Sequence, residues 1–187
     1  MTARVIYTIG YGKRTTDELL TILADHHITY LIDVRSSPYS KFKPEFSKTS
    51  LQPTLAQAGI RYVFMGDLIG GTPEDPVCYT DGKADYDKIA ETERYQKGIA
   101  RLLSAFEQNL SICLMCSEGK PELCHRSKLI GNTLKQKGIP VLHINEENET
   151  KTQEYIMNVI EGWQMTLFDM PLLSRKTYSM SENKEEE

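Results

Sequence analysis

One stretch of the chain concentrates residue types that can do chemistry. Met115 to Arg126 reads MCSEGKPELCHR and holds two thiols, two carboxylates, an imidazole, a lysine and an arginine. It follows the apolar run Leu110–Met115 and precedes a helix-like pattern from Ser127 to Lys137, which stops at Gly138. A loop between strand and helix presents unpaired backbone N–H groups and the positive end of a helix dipole, and both favour anions. A thiolate is stabilised by the same field, with Lys120 and Arg126 adjacent. Cys116 is therefore the candidate nucleophile or substrate contact. Glu118 is the candidate acid–base group, His125 a candidate proton exchanger near neutral pH, and Arg126 a bidentate anchor for phosphate or carboxylate. The bland alternative is a loop with two buried, inert thiols and a capping His-Arg pair.

Cys116, Cys124, His125 and His143 are also potential metal ligands. Their spacing matches no pattern with paired CxxC arms, so neither a metal nor another cofactor is expected. Cys113 lies inside the apolar run and reads as a small core residue. Cys78 falls in a long loop and reads as incidental. Four cysteines at uneven spacing do not make a disulfide-stapled scaffold, which points to a reducing compartment.

A second mixed cluster is DVRSSPYSKFKPEF, Asp33 to Phe46. It interleaves Arg35, Lys41 and Lys43 with Tyr39, Phe42 and Phe46. Cations alternating with aromatics can follow a phosphate backbone and stack bases. A surface loop with its aromatics folded onto the core fits the same residues.

These clusters need elements to position them. Arg4–Ile9, Tyr30–Val34, Ile60–Met65, Leu110–Met115 and Pro140–Ile144 are short β-branched or apolar runs and predict five strands. Thr15 or Thr16 caps a helix whose apolar face is Leu19, Leu20, Ile22 and Leu23. Further helices are expected over Leu51–Ala58, Tyr86–Gln108, Ser127–Lys137 and Gln153–Trp163, and a long loop over Gly66–Asp85. Strands that are apolar throughout and alternate with helices predict a parallel sheet covered on both faces. Ligands bind beyond the carboxyl edge of such sheets. The polar and glycine-rich clusters Gly10-Tyr11-Gly12, Asp33-Val34-Arg35, Gly70-Gly71 and Cys116-Ser117-Glu118 each follow a strand, so they share that edge. One concave site lined by Asp33, Arg35, Cys116, Glu118 and Arg126 is the expectation.

In this order, TIGYGKRT, LIDVRSSPYSKFKPEF, YVFMGDLIGG and LMCSEGKPELCHRSKLI resemble the domain of unknown function 488 family, from about Thr8 to His143. The resemblance implies the α/β fold and the shared pocket. It marks Gly10, Asp33, Arg35, Gly70, Gly71, Cys116, Glu118, Cys124, His125 and Arg126, and the family often has His where Tyr11 stands. LIDVR and the loop Cys116 to Lys120 are also similar to rhodanese-like sulfurtransferases. Pro121 and a second Cys interrupt that loop, and Arg126 stands ten positions beyond Cys116, unlike the spacing of phosphocysteine enzymes.

Past the domain, Gln164-Met165-Thr166-Leu167-Phe168 is similar to the Gln-Leu-x-Leu-Phe peptide by which many bacterial replication and repair proteins hold the sliding clamp. Such a peptide places apolar anchors in a groove. Packing of Trp163, Leu167 and Phe168 on the domain is the alternative. Glu182 to Glu187 contributes −3 of the net charge of −4, which leaves the body close to neutral and without a strongly basic footprint.

The expected architecture is a single α/β domain over residues 1–160, a three-layer sandwich about a mostly parallel, five-stranded, Rossmann-like sheet, with a tail over 161–187. No apolar run reaches the roughly 20 residues of a membrane span, and no signal-peptide pattern is seen, so a cytoplasmic location is expected. The favoured function is an enzyme acting on a nucleotide or a base in nucleic acid. Catalysis would fall to Cys116, Glu118, His125 and Asp33. Binding would fall to Gly10, Tyr11, Arg35, Gly70, Gly71, Lys120, Cys124 and Arg126. A cysteine-dependent sulfurtransferase and a noncatalytic nucleic-acid-binding adaptor are the alternatives.

Overall fold

A computed structural model describes residues 4–164 and 173–177. The chain opens with β1 (Ile6–Gly10) and α1 (Thr16–Asp25). Thr15 caps α1 in a reciprocal box with Glu18, and Leu19, Ile22 and Leu23 are buried. β2 (Tyr30–Asp33), α2 (Lys48–Gln57) and β3 (Arg61–Phe64) follow. Next come α3 (Gly66–Ile69) and two short strands, β4 (Tyr79–Thr80) and β5 (Lys83–Asp85). The long helix expected from Tyr86 is two helices, α4 (Tyr86–Glu91) and α5 (Glu93–Glu107). They part at Thr92, whose hydroxyl accepts from the Tyr95 amide as an N-cap. β6 (Ile112–Cys116) leads through a wide π-helical stretch, Arg126–Gly131, into α6 (Asn132–Gln136). β7 (Val141–Ile144), β8 (Thr150–Thr152), α7 (Gln153–Gln164) and β9 (Leu173–Thr177) complete the order.

The central sheet has strand order β3-β2-β6-β1-β7-β8. The five expected strands are its parallel members. The sixth, β8, was not expected. Its segment is polar and short, and it pairs antiparallel on the β7 edge. All five residues of β6 are buried, as a central strand covered on both faces requires.

Strand alternation divides the core. Cys113 and Met115 pack with α1 and α2 on one face, whereas Ile112, Leu114 and Cys116 pack with α4, α5 and α6 on the other. The connections after β1 and β6 leave in opposite directions, since β2 lies beyond β6 and β7 lies beyond β1. Register sets Gly10 opposite Cys116 and Asp33 opposite Met115, so these strand ends stand side by side.

The region expected as a long loop, Gly66–Asp85, contains α3 and the β4–β5 hairpin. That hairpin forms a second sheet, β4-β5-β9, in which β9 recruits Leu173–Thr177 from the segment expected as tail. Gln164 ends α7, while Met165, Leu167 and Phe168 of the clamp-like peptide lie outside the described residues. Among the described residues, no helix is long and apolar enough to cross a membrane.

Candidate functional site

The loop after β6 is held in place mainly by backbone contacts. Tyr11 N–H donates to the Cys116 carbonyl and Gly12 N–H to that of Ser117, both at 3.0 Å. A Cβ on Gly10 would overlap the Glu118 carbonyl, so only glycine lets the loop cross the end of β1 so closely. A turn at Pro121–Leu123 then brings the chain back, with Cys124 N–H donating to Pro121 O at 3.0 Å.

This return puts Cys124 and His125 against Cys116. Nδ1 of His125 lies 3.8 Å from Cys116 Sγ and 3.7 Å from Cys124 Sγ. The other ring nitrogen, Nε2, is 3.0 Å from the Val34 carbonyl. A carbonyl oxygen only accepts, so Nε2 carries a proton and Nδ1 faces the two sulfurs, with a lone pair when the ring is neutral and with an N–H that favours thiolate when it is protonated. Gly71 packs on the imidazole, where a Cβ would stand 2.7 Å from the ring.

The two thiols are driven apart in acidity. The Cys124 thiol, hydrogen-bonded to it, holds Cys116 well below the ordinary thiol range, with help from His125 and the Glu118 amide against the cost of burial. Burial and the neighbouring Cys116 push Cys124 up. This pairing favours ionisation at Cys116 over Cys124 and sets the two sulfurs side by side. Cys113, on the opposite face of the same strand, is pushed up by burial.

Above the cluster opens a cavity of about 460 Å³, within the usual range of small-ligand sites. Cys116, Glu118, Cys124, His125, Tyr11, Arg35 and Gly71 all line it. Arg35 reaches the wall from the end of β2, supported from behind by Asp33. The guanidinium donates to both Asp33 carboxylate oxygens, at 2.9 Å and 2.5 Å, and to the Phe46 carbonyl at 2.8 Å. Asp33 also accepts from the Tyr62 hydroxyl at 2.6 Å. The Tyr11 ring stacks on Phe46 and lies beneath the Arg35 cation.

Five residues expected at the site do not line the cavity. Asp33 is fully buried behind Arg35 and works on that side chain. Arg126 is fully buried, with its guanidinium donating to the Glu118 and Gly119 carbonyls, so it braces the loop from beneath. Arg126 begins the π-helical stretch directly after the loop turns back, and its guanidinium points to the loop's carbonyls and not to the cavity. Lys120 leans outward, 3.6 Å from Glu146. Gly10 lies under the loop, and Gly70 packs on Ser36 and the Gly66 carbonyl.

Other lining residues carry little signal in the sequence. Ser36 accepts hydrogen bonds from the Thr72 amide at 3.1 Å and hydroxyl at 2.7 Å, joining two walls. Tyr86 and Ser174 come from the second sheet and its following helix. Behind the cavity wall, and not part of its lining, Arg14 is buried and ties the end of β1 to Asn148 in the β7–β8 turn, at 3.0 Å and 2.8 Å. A lone arginine and scattered hydroxyls have no spacing from which such convergence can be read.

Fold and cavity together define an α/β protein with a thiol-bearing site at the carboxyl edge of a parallel sheet. The chain belongs to the family described as domain of unknown function DUF488, whose model matches residues 15–132, well over half its length. No curated protein and no solved structure matches it.

Proposed function

We propose that the chain is an enzyme acting on a nucleotide, or on a base within nucleic acid, at the cavity above Cys116, Cys124 and His125. The observation that carries this is the convergence of two thiols and an oriented imidazole on one cavity floor, in surroundings that favour ionisation of Cys116. Perturbed groups gathered in a cleft are the physical mark of a reaction site. Glu118 lines the same cavity and is the proton carrier. Arg35, held in place by Asp33, faces the cavity and meets the anionic part of the substrate. Arg126 serves by fixing the loop.

The nucleic-acid half of the proposal draws on the rim. Tyr39 lines the cavity and is 68% exposed, and Phe42 nearby in the chain is 93% exposed, with Lys41 between them. Exposed aromatics interleaved with cations suit base stacking along a phosphate backbone. The peptide Gln164 to Phe168 adds a proposed partner, the bacterial sliding clamp, and with it a role near DNA repair. Cys116 at a strand end also supports a second reading, cysteine-dependent sulfur transfer, which a persulfide on Cys116 would reveal after incubation with thiosulfate, whose sulfane sulfur the thiolate takes as sulfite leaves.

The test is product analysis by mass spectrometry after incubation with a panel of mononucleotides and single-stranded oligonucleotides. Turnover by the unaltered chain, with Glu118→Gln binding but not converting substrate, supports the proposal. No conversion of any member overturns it.

A further inference from the structure

The ligating atoms at the cavity floor are close enough to share one ion, although their spacing in the chain resembles no zinc pattern. Cys116 Sγ, Cys124 Sγ and His125 Nδ1 all lie within 4.8 Å of one another. Zinc bonds of about 2.3 Å to sulfur and 2.0–2.1 Å to nitrogen, at tetrahedral angles, place sulfur and nitrogen roughly 3.5 Å apart. The observed separations are 3.8 Å and 3.7 Å. A small inward turn of each side chain closes the set.

We propose that Cys116, Cys124 and His125 bind one divalent zinc ion, with the fourth coordination position open to the cavity. The inference rests on the same cluster being the reaction centre, and it names what the cluster holds.

Three observations point the same way. The ring nitrogen remote from the sulfurs, Nε2, donates to the Val34 carbonyl, the outer partner that orients nearly every metal-bound histidine. Each sulfur accepts a backbone N–H, Cys116 from Glu118 and Cys124 from Arg126, which leaves the thiolates solvated by fixed dipoles. All three ligands are nearly buried yet line the cavity, so the site is closed on the protein side and open on one. Three protein ligands with one open position is the catalytic pattern of zinc rather than the structural one. Two thiolates and an imidazole are soft or borderline donors and disfavour magnesium or calcium. Zinc at this point would bind and acidify a water beside Glu118, an arrangement that can serve hydrolytic chemistry on a base.

The experiment uses the full chain in reducing buffer, stripped with a chelator and titrated with zinc and with cobalt(II). One equivalent is expected to bind, with cobalt giving thiolate charge-transfer absorption and intense tetrahedral d–d bands. Bound zinc is expected to protect Cys116 and Cys124 from alkylation while leaving Cys78 unchanged. Cys116→Ser, Cys124→Ser and His125→Asn should each weaken binding by more than the roughly 10–100-fold that loss of an outer partner costs. Cys78→Ser should bind as the unaltered chain does. No stoichiometric binding, or absence of protection at Cys116 and Cys124, overturns the site, and both readouts need only the unaltered protein. A zinc-loaded chain that converts no nucleotide would sink the proposed function and leave the metal site standing. Conversion undiminished in the stripped chain would remove the metal from the reaction.

Discussion

Cys113 and Cys116 are three residues apart on one strand, yet the pleat sends them to opposite faces of the sheet. Cys113 sits against apolar side chains of the α1 and α2 layer, and burial raises its pKa. Cys116 ends the strand beneath the cavity, where Cys124, His125 and the Glu118 amide favour its thiolate. Alkylation of chelator-treated protein at neutral pH should therefore label Cys116 well before Cys113. Its rate should hold as pH falls below the ordinary thiol range, because the reactive thiolate persists there. Mass-spectrometric mapping reads the order, and equal rates would contradict the assigned environments. Most of this cluster was visible in the chain, because strand, loop and helix signals bracket Cys116 and Cys124. The role of Arg126 was not visible. A cation after a strand-end loop reads as a phosphate anchor from spacing alone, and only the loop's return shows its guanidinium under the Glu118 and Gly119 carbonyls.

The helical stretch after the loop is tied to the sheet by a buried polar chain. Thr8 on β1 bonds His143 Nδ1 at 2.7 Å, His143 Nε2 bonds Gln153 at 2.5 Å, and Gln153 donates to the Ser127 carbonyl at 3.0 Å. Gln153 offers its oxygen to Nε2 because its amide nitrogen is already used, so Nε2 donates and Nδ1 accepts from the Thr8 hydroxyl. Burial, with the Arg126 cation, pushes the His143 pKa down to about 3 from 6.5. For a depressed folded pKa, the stabilisation is complete above the unfolded value and drains as pH falls from 6.5 toward 3. The slope is at most about 1.4 kcal/mol per pH unit. His143→Gln should lower stability at neutral pH and flatten that acid limb, as denaturant midpoints measured across the range will show. An unchanged slope would mean that His143 is not the group titrating. At this scale the parallel strands were legible as unbroken apolar runs. β8 and β4 were not, since two or three polar residues carry no period, and the break at Thr92 was hidden within continuous helical spacing.

The molecule as a whole brings distant segments to one edge. Ser174 lines the cavity from β9, some fifty residues beyond Cys124, and nothing in its neighbourhood marks it as more than tail. Shared placement of Tyr11, Arg35, Gly71 and the Cys116 loop was legible, because a parallel sheet gathers the ends of all its strands on one side. Between α7 and β9 lies the clamp-like peptide. A peptide that becomes ordered only on binding loses entropy in the process, so micromolar affinity for a bacterial sliding clamp is expected. Titration should show binding by the unaltered chain and none by a Leu167→Ala, Phe168→Ala double variant. No binding at tens of micromolar would remove the clamp and leave the nucleic-acid link to the cavity and its rim. The central claim is that this cavity converts a nucleotide or a base in nucleic acid. Its most direct measurement is mass-spectrometric product analysis with the nucleotide and oligonucleotide panel, run side by side on the unaltered chain, Cys116→Ser and Glu118→Gln. The account predicts a new product from the unaltered chain, and a loss of at least about 100-fold in rate for Glu118→Gln with binding retained, the scale expected of an acid–base group. Conversion by Glu118→Gln and Cys116→Ser at the rate of the unaltered chain would contradict it, as would no conversion at all.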